Sequence, residues 1–235
     1  MLSMVATDSS NCKAVMTGAA VAAGGARRPY EKIRFDYDDM VIHMSRGALD
    51  KFCSALYHHP HESAIISVNV DVSSTETISF GSAAQCVLTR PSAGGSSIIS
   101  EALSAEVVDR FLGIQRIKTE MELKYSKSGP ITDFACTVQR NITLGISVTR
   151  AKPYKARKMT TKVASRLLTK KLKGILVSNQ TVVNYTFKRQ ILHVWTEDGR
   201  TAATIKRICA NLPAELRSNT IILISTVNLD TVFHA

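Results

Sequence analysis

The side chains of this chain whose types and spacing are most suited to chemistry are cations. Arg150, Lys152, Lys155, Arg157, Lys158, Lys162, Arg166, Lys170, Lys171 and Lys173 fall within residues 150–173, with no Asp or Glu among them. Lys and Arg at this density gain affinity for a polyanion by displacing its condensed counterions. Salt-bridged surface helices interleave both signs, so the absence of acids argues for display toward a partner. The whole chain agrees in sign: 30 Lys and Arg stand against 19 Asp and Glu, for a net charge of +11. Nucleic acid is the first partner expected, and a role as a structural subunit of a ribonucleoprotein or protein complex is the alternative.

Other constellations carry less. His58, His59 and His61 surround Pro60 without an acidic or cysteine partner at ligand spacing, so they read as a polar turn. Asp36, Asp38 and Asp39 lack the glycine and terminal glutamate of a calcium loop. Cys12, Cys53, Cys86, Cys136 and Cys209 are odd in number, widely spaced and free of any Cys-x-x-Cys pair. That usage excludes a disulfide framework or a cysteine zinc site and points to a reducing compartment. No phosphate-cradling glycine loop, nucleophile elbow or zinc-protease helix motif is present. No apolar run approaches the roughly 18 residues that cross a bilayer. A soluble intracellular protein of nucleus or cytoplasm is expected.

These cations must be positioned by folded structure, and 45% hydrophobic content is enough to build a core. Residues 1–30, rich in Ala, Gly, Ser and Met, read as a disordered N-terminal segment. Their faint likeness to a transit peptide makes the mitochondrion the alternative compartment. Residues 31–90 read as a small α+β subdomain: a strand over 32–37, a helix over 46–58, a strand over 64–72 and a strand pair within 77–88. The turn-rich stretch 90–97 marks a boundary.

Residues 97–235 read as a second domain. A helix begins near Ser97 and stops at Gly113, and strands follow over 117–125, 131–139 and 144–150. The basic helix starts at the capping residues Thr160 and Thr161 and is expected to stop at Gly174. Val163, Leu167, Leu168 and Leu172 form its apolar stripe, while Lys162, Arg166 and Lys170 recur every fourth residue on one face. Strands at 175–178, 190–195 and 220–227 and a helix over 200–210 complete an α/β (α+β) fold with a mixed central sheet flanked by helices. Tyr154 and Tyr185 lie near the basic region and are suited either to stacking on unpaired bases or to ordinary half-buried packing.

This element order, with Asp133 opening the second strand and Leu144-Gly-Ile-Ser-Val-Thr-Arg-Ala on the third, resembles the restriction-endonuclease-like core of the PD-(D/E)XK nuclease superfamily. The resemblance implies that Glu101, on the helix, and Asp133 take the positions of metal-holding acids, with Mg²⁺ as cofactor if the site is active. Ser147 and Thr149 stand where the superfamily has its second acid and its lysine. Two hydroxyls do not replace a carboxylate and an ammonium on charge grounds, so the motif is degenerate unless a migrated cation, such as Lys124, Arg150 or Lys152, serves. The resemblance therefore implies a nucleic-acid-binding protein with a degenerate nuclease-like site, RNA being weakly favoured over DNA, and an active metal-dependent endonuclease using Glu101, Asp133 and Lys152 as the alternative. The binding residues expected are Arg150, Lys155, Arg157, Lys158, Lys162, Arg166, Lys170, Lys171 and Lys173.

Overall fold

A computed structural model of the protein describes residues 13–17, 31–59, 61–73, 78–92, 97–152 and 158–234. Its strands are β1 (Lys13–Thr17), β2 (Lys32–Asp36), β3 (Met40–Ser45), β4 (Ala64–Val72), β5 (Arg116–Thr119), β6 (Phe134–Val138), β7 (Ile142–Arg150), β8 (Arg189–Thr196) and β9 (Thr220–Val227). Its helices are α1 (Arg46–Tyr57), α2 (Ser82–Thr89), α3 (Ile98–Leu112), α4 (Thr161–Thr181), α5 (Gly199–Asn211), α6 (Ala214–Arg217) and α7 (Thr231–His234). All the strands join one sheet in the order β1-β2-β3-β4-β9-β8-β7-β6-β5.

The middle of the sheet, β4-β9-β8-β7, is parallel, and both margins are antiparallel. Parallel strands are covered on both faces and so become apolar throughout, and every residue of β8 is buried. Alternate residues of the central strands face two cores. Ile146, Val148, Ile191, Trp195, Ile221 and Leu223 meet the side bearing α1, α2 and α3. Leu192, Val194, Ile222 and Ile224 meet α4 and α5 on the other.

Buried polar pairs fasten α3 to the sheet. Between Ser104 and Ser225 lies His193, whose Nδ1 is 2.6 Å from one hydroxyl and Nε2 2.8 Å from the other. Burial lowers its pKa to about 3, so the imidazole is neutral, donating at one ring nitrogen and accepting at the other. Its ring lies 4.2 Å from that of Trp195, and Trp195 Nε1 donates to the Ser100 carbonyl at 3.0 Å. His193 and Trp195, two residues apart on β8, share a face of the sheet and are both buried in its core.

The sequence and the structure part in several places. The strand expected over 117–125 ends at Thr119, where a 3-10 turn over Glu120–Glu122 begins. Residues 31–90, read as a separate subdomain, extend the same sheet through the β4–β9 ladder and share its larger core. Within the segment expected to be disordered, Lys13–Thr17 pairs with β2; the rest of 1–30 lies outside the described residues. The strand pair expected within 77–88 is helix α2 in its described part, because Ala83, Ala84 and Val87 place a buried stripe at helical spacing.

A further difference concerns the basic helix. It runs through Gly174 to Thr181, so the strand expected at 175–178 does not form. A Cβ at Gly174 would lie 3.3 Å from Pro130, so this glycine permits a close approach within the helix instead of ending it. Val163, placed in the buried stripe from sequence, is exposed; the buried face is Ala164, Leu168, Leu172 and Ile175.

Candidate nucleic-acid interface and the carboxylate cluster at Val148

The basic helix begins where the Thr160 hydroxyl accepts the Val163 N–H at 3.3 Å. At about 100° per residue, Lys162, Arg166, Lys170 and Lys173 fall within an arc of about 80°, opposite the buried residues. All of them, with Lys158 just upstream, are exposed. None of these cations forms an ion pair among the described residues. On the neighbouring α5, exposed Lys206 and Arg207 enlarge the same layer, and Arg207 Nη2 reaches the Thr161 hydroxyl at 3.4 Å. Sequence reading missed these α5 cations because they lie far along the chain from residues 150–173.

Other members of the expected binding set are placed differently. Arg150 donates to the Val232 carbonyl at 3.4 Å, and Lys152 donates to that of Phe233 at 3.1 Å. Both serve the last helix, α7. Lys171 turns inward, on the arc of the helix that carries its apolar residues. Lys155, Arg157 and Tyr154 lie outside the described residues. Tyr185 packs: its hydroxyl is 2.7 Å from the Thr137 hydroxyl and its ring is 5.7 Å from that of Phe187.

The inward turn of Lys171 creates a second site. The β6–β7 ladder ends where Phe134 pairs with Ile146, leaving the edge of β7 beyond that pair without β6 as partner. Val148 occupies this edge. Its N–H donates to Asp133 Oδ2, just before β6, and its carbonyl accepts from Lys171 Nζ at 2.8 Å. Asp133 and β7 thus meet through a backbone contact.

Charge ties further groups to this point. Asp133 is deep among protein atoms although part of its surface is accessible, and burial raises its pKa to about 7 against the opposing pull of Lys171. Glu101 and Glu120 push it up further, while the Val148 hydrogen bond lowers it. Glu101, buried in the first turn of α3, is likewise raised, first by burial, against its bond to Ser97 and the charges of Lys171 and Arg150. Glu101, Glu120, Asp133, Arg150 and Lys171 thus share one electrostatic neighbourhood. The cation that acts on Asp133 is Lys171 from the helix, where the sequence pointed to Lys152.

This donor set does not fit a divalent metal. One oxygen of Asp133 is taken by a backbone N–H, and Lys171 already places positive charge in its neighbourhood. Among the described residues no group of three or more His, Cys, Asp or Glu is placed to hold a metal ion. Ser147 and Thr149 are buried and add no charge.

The histidine turn has a structural role. His59 and Glu62 offer their carbonyls to buried Arg189, at 3.3 and 2.7 Å, and the His59 ring lies 3.6 Å from the Glu62 carboxylate. Asp39 of the acidic cluster is bound by Arg110, and Asp36 pairs with Arg34 at 2.7 Å.

No family model matches this chain, and no solved structure matches it. Over 162 residues, 66% of its length, it is 38% identical to the AAC-rich mRNA clone AAC4 protein of Dictyostelium discoideum. The chain spans 24% of that protein's length. No described helix is long and apolar enough to cross a membrane.

Proposed function

We propose that this protein binds nucleic acid through the phosphate backbone, using the exposed face of α4, on a fold related to the restriction-endonuclease-like core. The observation that carries this reading is the alignment of Lys162, Arg166, Lys170 and Lys173 on one exposed arc with no ion-pair partner among the described residues. Such a surface tracks phosphates without reading bases. The cluster around Val148 supports a nuclease-related ancestry whose catalytic chemistry is lost, since Asp133 and Lys171 satisfy strand-edge backbone groups. RNA is favoured over a specific DNA site because no groove-reading helix module accompanies the cations. The protein acts inside the cell, in nucleus or cytoplasm, as a free binder or as a component of a ribonucleoprotein.

The test is the simultaneous change of Lys162, Arg166 and Lys170 to Ala, followed by titration of a fluorescent RNA. Affinity falls at least tenfold if each cation meets a phosphate, a conservative expectation for three lost contacts. Unchanged affinity would discard the proposal.

A further inference from the structure

Beside the cationic arc of α4 lies a broadly open recess of about 530 Å³, formed where α4 meets the segment leading into α6. Leu176, Leu212, Pro213 and Leu216 make its walls, and Thr169, Lys173 and Glu215 also line it. Thr169 and Leu176 follow the basic face around the helix by less than one residue's turn, and Lys173 belongs to both surfaces. An apolar recess of this size is in the range that small ligands occupy, roughly 300–1,000 Å³. Lys170 and Arg166, both exposed, precede Lys173 by about one and two turns of α4.

We infer that this recess receives an unpaired base of a single strand whose flanking phosphates lie on Lys173, Lys170 and Arg166. The inference rests on the phosphate-binding reading of α4 and names its substrate class: single-stranded nucleic acid. Charge complementarity favours this occupant, because Lys173 lines the recess and continues the exposed cations of α4, against the one acid Glu215 in the lining. The α6 wall is a single turn, Ala214–Arg217. A flat ring needs only apolar walls to be held between. The walls offer aliphatic surface and few polar atoms, so one base is accepted much as another. Bases in a duplex are stacked and paired, and cannot enter.

The experiment compares three probes by fluorescence anisotropy at one salt concentration: a single-stranded 12-nucleotide RNA, an abasic strand of the same length and charge, and the RNA duplex. The wild-type protein binds the base-bearing strand about tenfold tighter than the abasic strand, and tighter than the duplex. Leu216→Gln, checked for native circular dichroism, brings base-bearing and abasic strands together while retaining the affinity for the abasic one. Equal wild-type affinity for base-bearing and abasic strands overturns the inference while leaving backbone binding intact, and needs no variant. Loss of all binding to all three probes overturns the parent reading and this one with it. A Glu/Leu amphipathic peptide that binds the wild type and is lost on Leu216→Gln, with the base preference unaffected, assigns the recess to a protein partner and overturns the inference.

Discussion

Asp133 and Lys171 hold opposite ends of one peptide residue: the carboxylate accepts the N–H of Val148 and the ammonium donates to its carbonyl. The pair completes the hydrogen bonding of β7 where β6 has ended, a place where a bare strand edge would be costly. It also sets the protonation of the site. Burial raises Asp133 from 3.8 to about 7, so the folded state holds a proton that the unfolded chain releases.

The sign of the resulting pH dependence is definite. Asp133 contributes stability fully below its unfolded pKa and loses it as pH rises through the folded value, so its effect fades between 3.8 and about 7. Glu101 acts in the same direction. Asp133→Asn keeps a carbonyl acceptor for Val148 and removes the titration. Urea denaturation of the variant across this interval shows a flatter pH profile than the wild type, and an identical profile refutes the assignment.

Arg110 anchors α3 to the β2–β3 turn. Its guanidinium binds Asp39 with Nη1 at 2.6 Å and Nη2 at 3.1 Å, holds Glu106 with Nε at 2.7 Å, and lies 4.8 Å from the Tyr37 ring centre. These side chains are nearly buried. Arg110→Met strands two carboxylates and costs about 3–5 kcal/mol of stability. Arg110→Lys recovers part of this, since an ammonium cannot reproduce the bidentate fork. Chemical denaturation measures both, and a loss under 1 kcal/mol, roughly the value of an exposed pair, would contradict the network.

Two glycines differ in how tightly their surroundings close on them. A Cβ at Gly145 would lie 2.5 Å from Gln190 Oε1 and 3.0 Å from the Phe187 ring, so Gly145→Ala overpacks a buried strand and costs about 1–3 kcal/mol. At Gly174 the nearest atom is Pro130 Cβ at 3.3 Å, which must yield slightly. There the gain of about 1 kcal/mol in helix propensity offsets the contact. Thermal melts therefore show a marked drop for the first variant and near neutrality for the second.

Parts of this architecture were legible because local pattern and burial agree. Ala64–Val72 and Thr220–Val227 form over the spans their apolar pattern predicts, one alternating and the other buried almost throughout. Helix α3 ends at Gly113, which adopts φ 65°. The same logic misled at Gly174, where a glycine in a helix reflects contact with Pro130, a neighbour 44 positions away in sequence. The role of Lys171 was hidden for a related reason. Counting cations treats it as part of a run, whereas its angle places it between Leu167 and Ala164, at the margin of the buried face, and that angle was the available signal. The partnership of β4 with β9 joins distant residues and has no local mark in either strand.

The Val148 cluster also makes a chemical prediction. Its two carboxyls, Glu101 and Asp133, are joined by the uncharged Ser147 and Thr149, too little negative charge to hold a catalytic cation, so Mg²⁺ or Mn²⁺ supports no cleavage of plasmid or RNA by the purified protein. Metal-dependent cleavage abolished by Asp133→Ala would restore the endonuclease reading, with Lys171 as the cation beside the acid.

The most direct test of the account is the slope of log K against log salt concentration for RNA binding, measured for the wild type and for the Lys162, Arg166 and Lys170 to Ala variant. Each phosphate contact on a single strand contributes about 0.7 to that slope, so the variant is shallower by about 2. Parallel lines for the two proteins would mean that the exposed face of α4 does not meet phosphates, and would contradict the central claim.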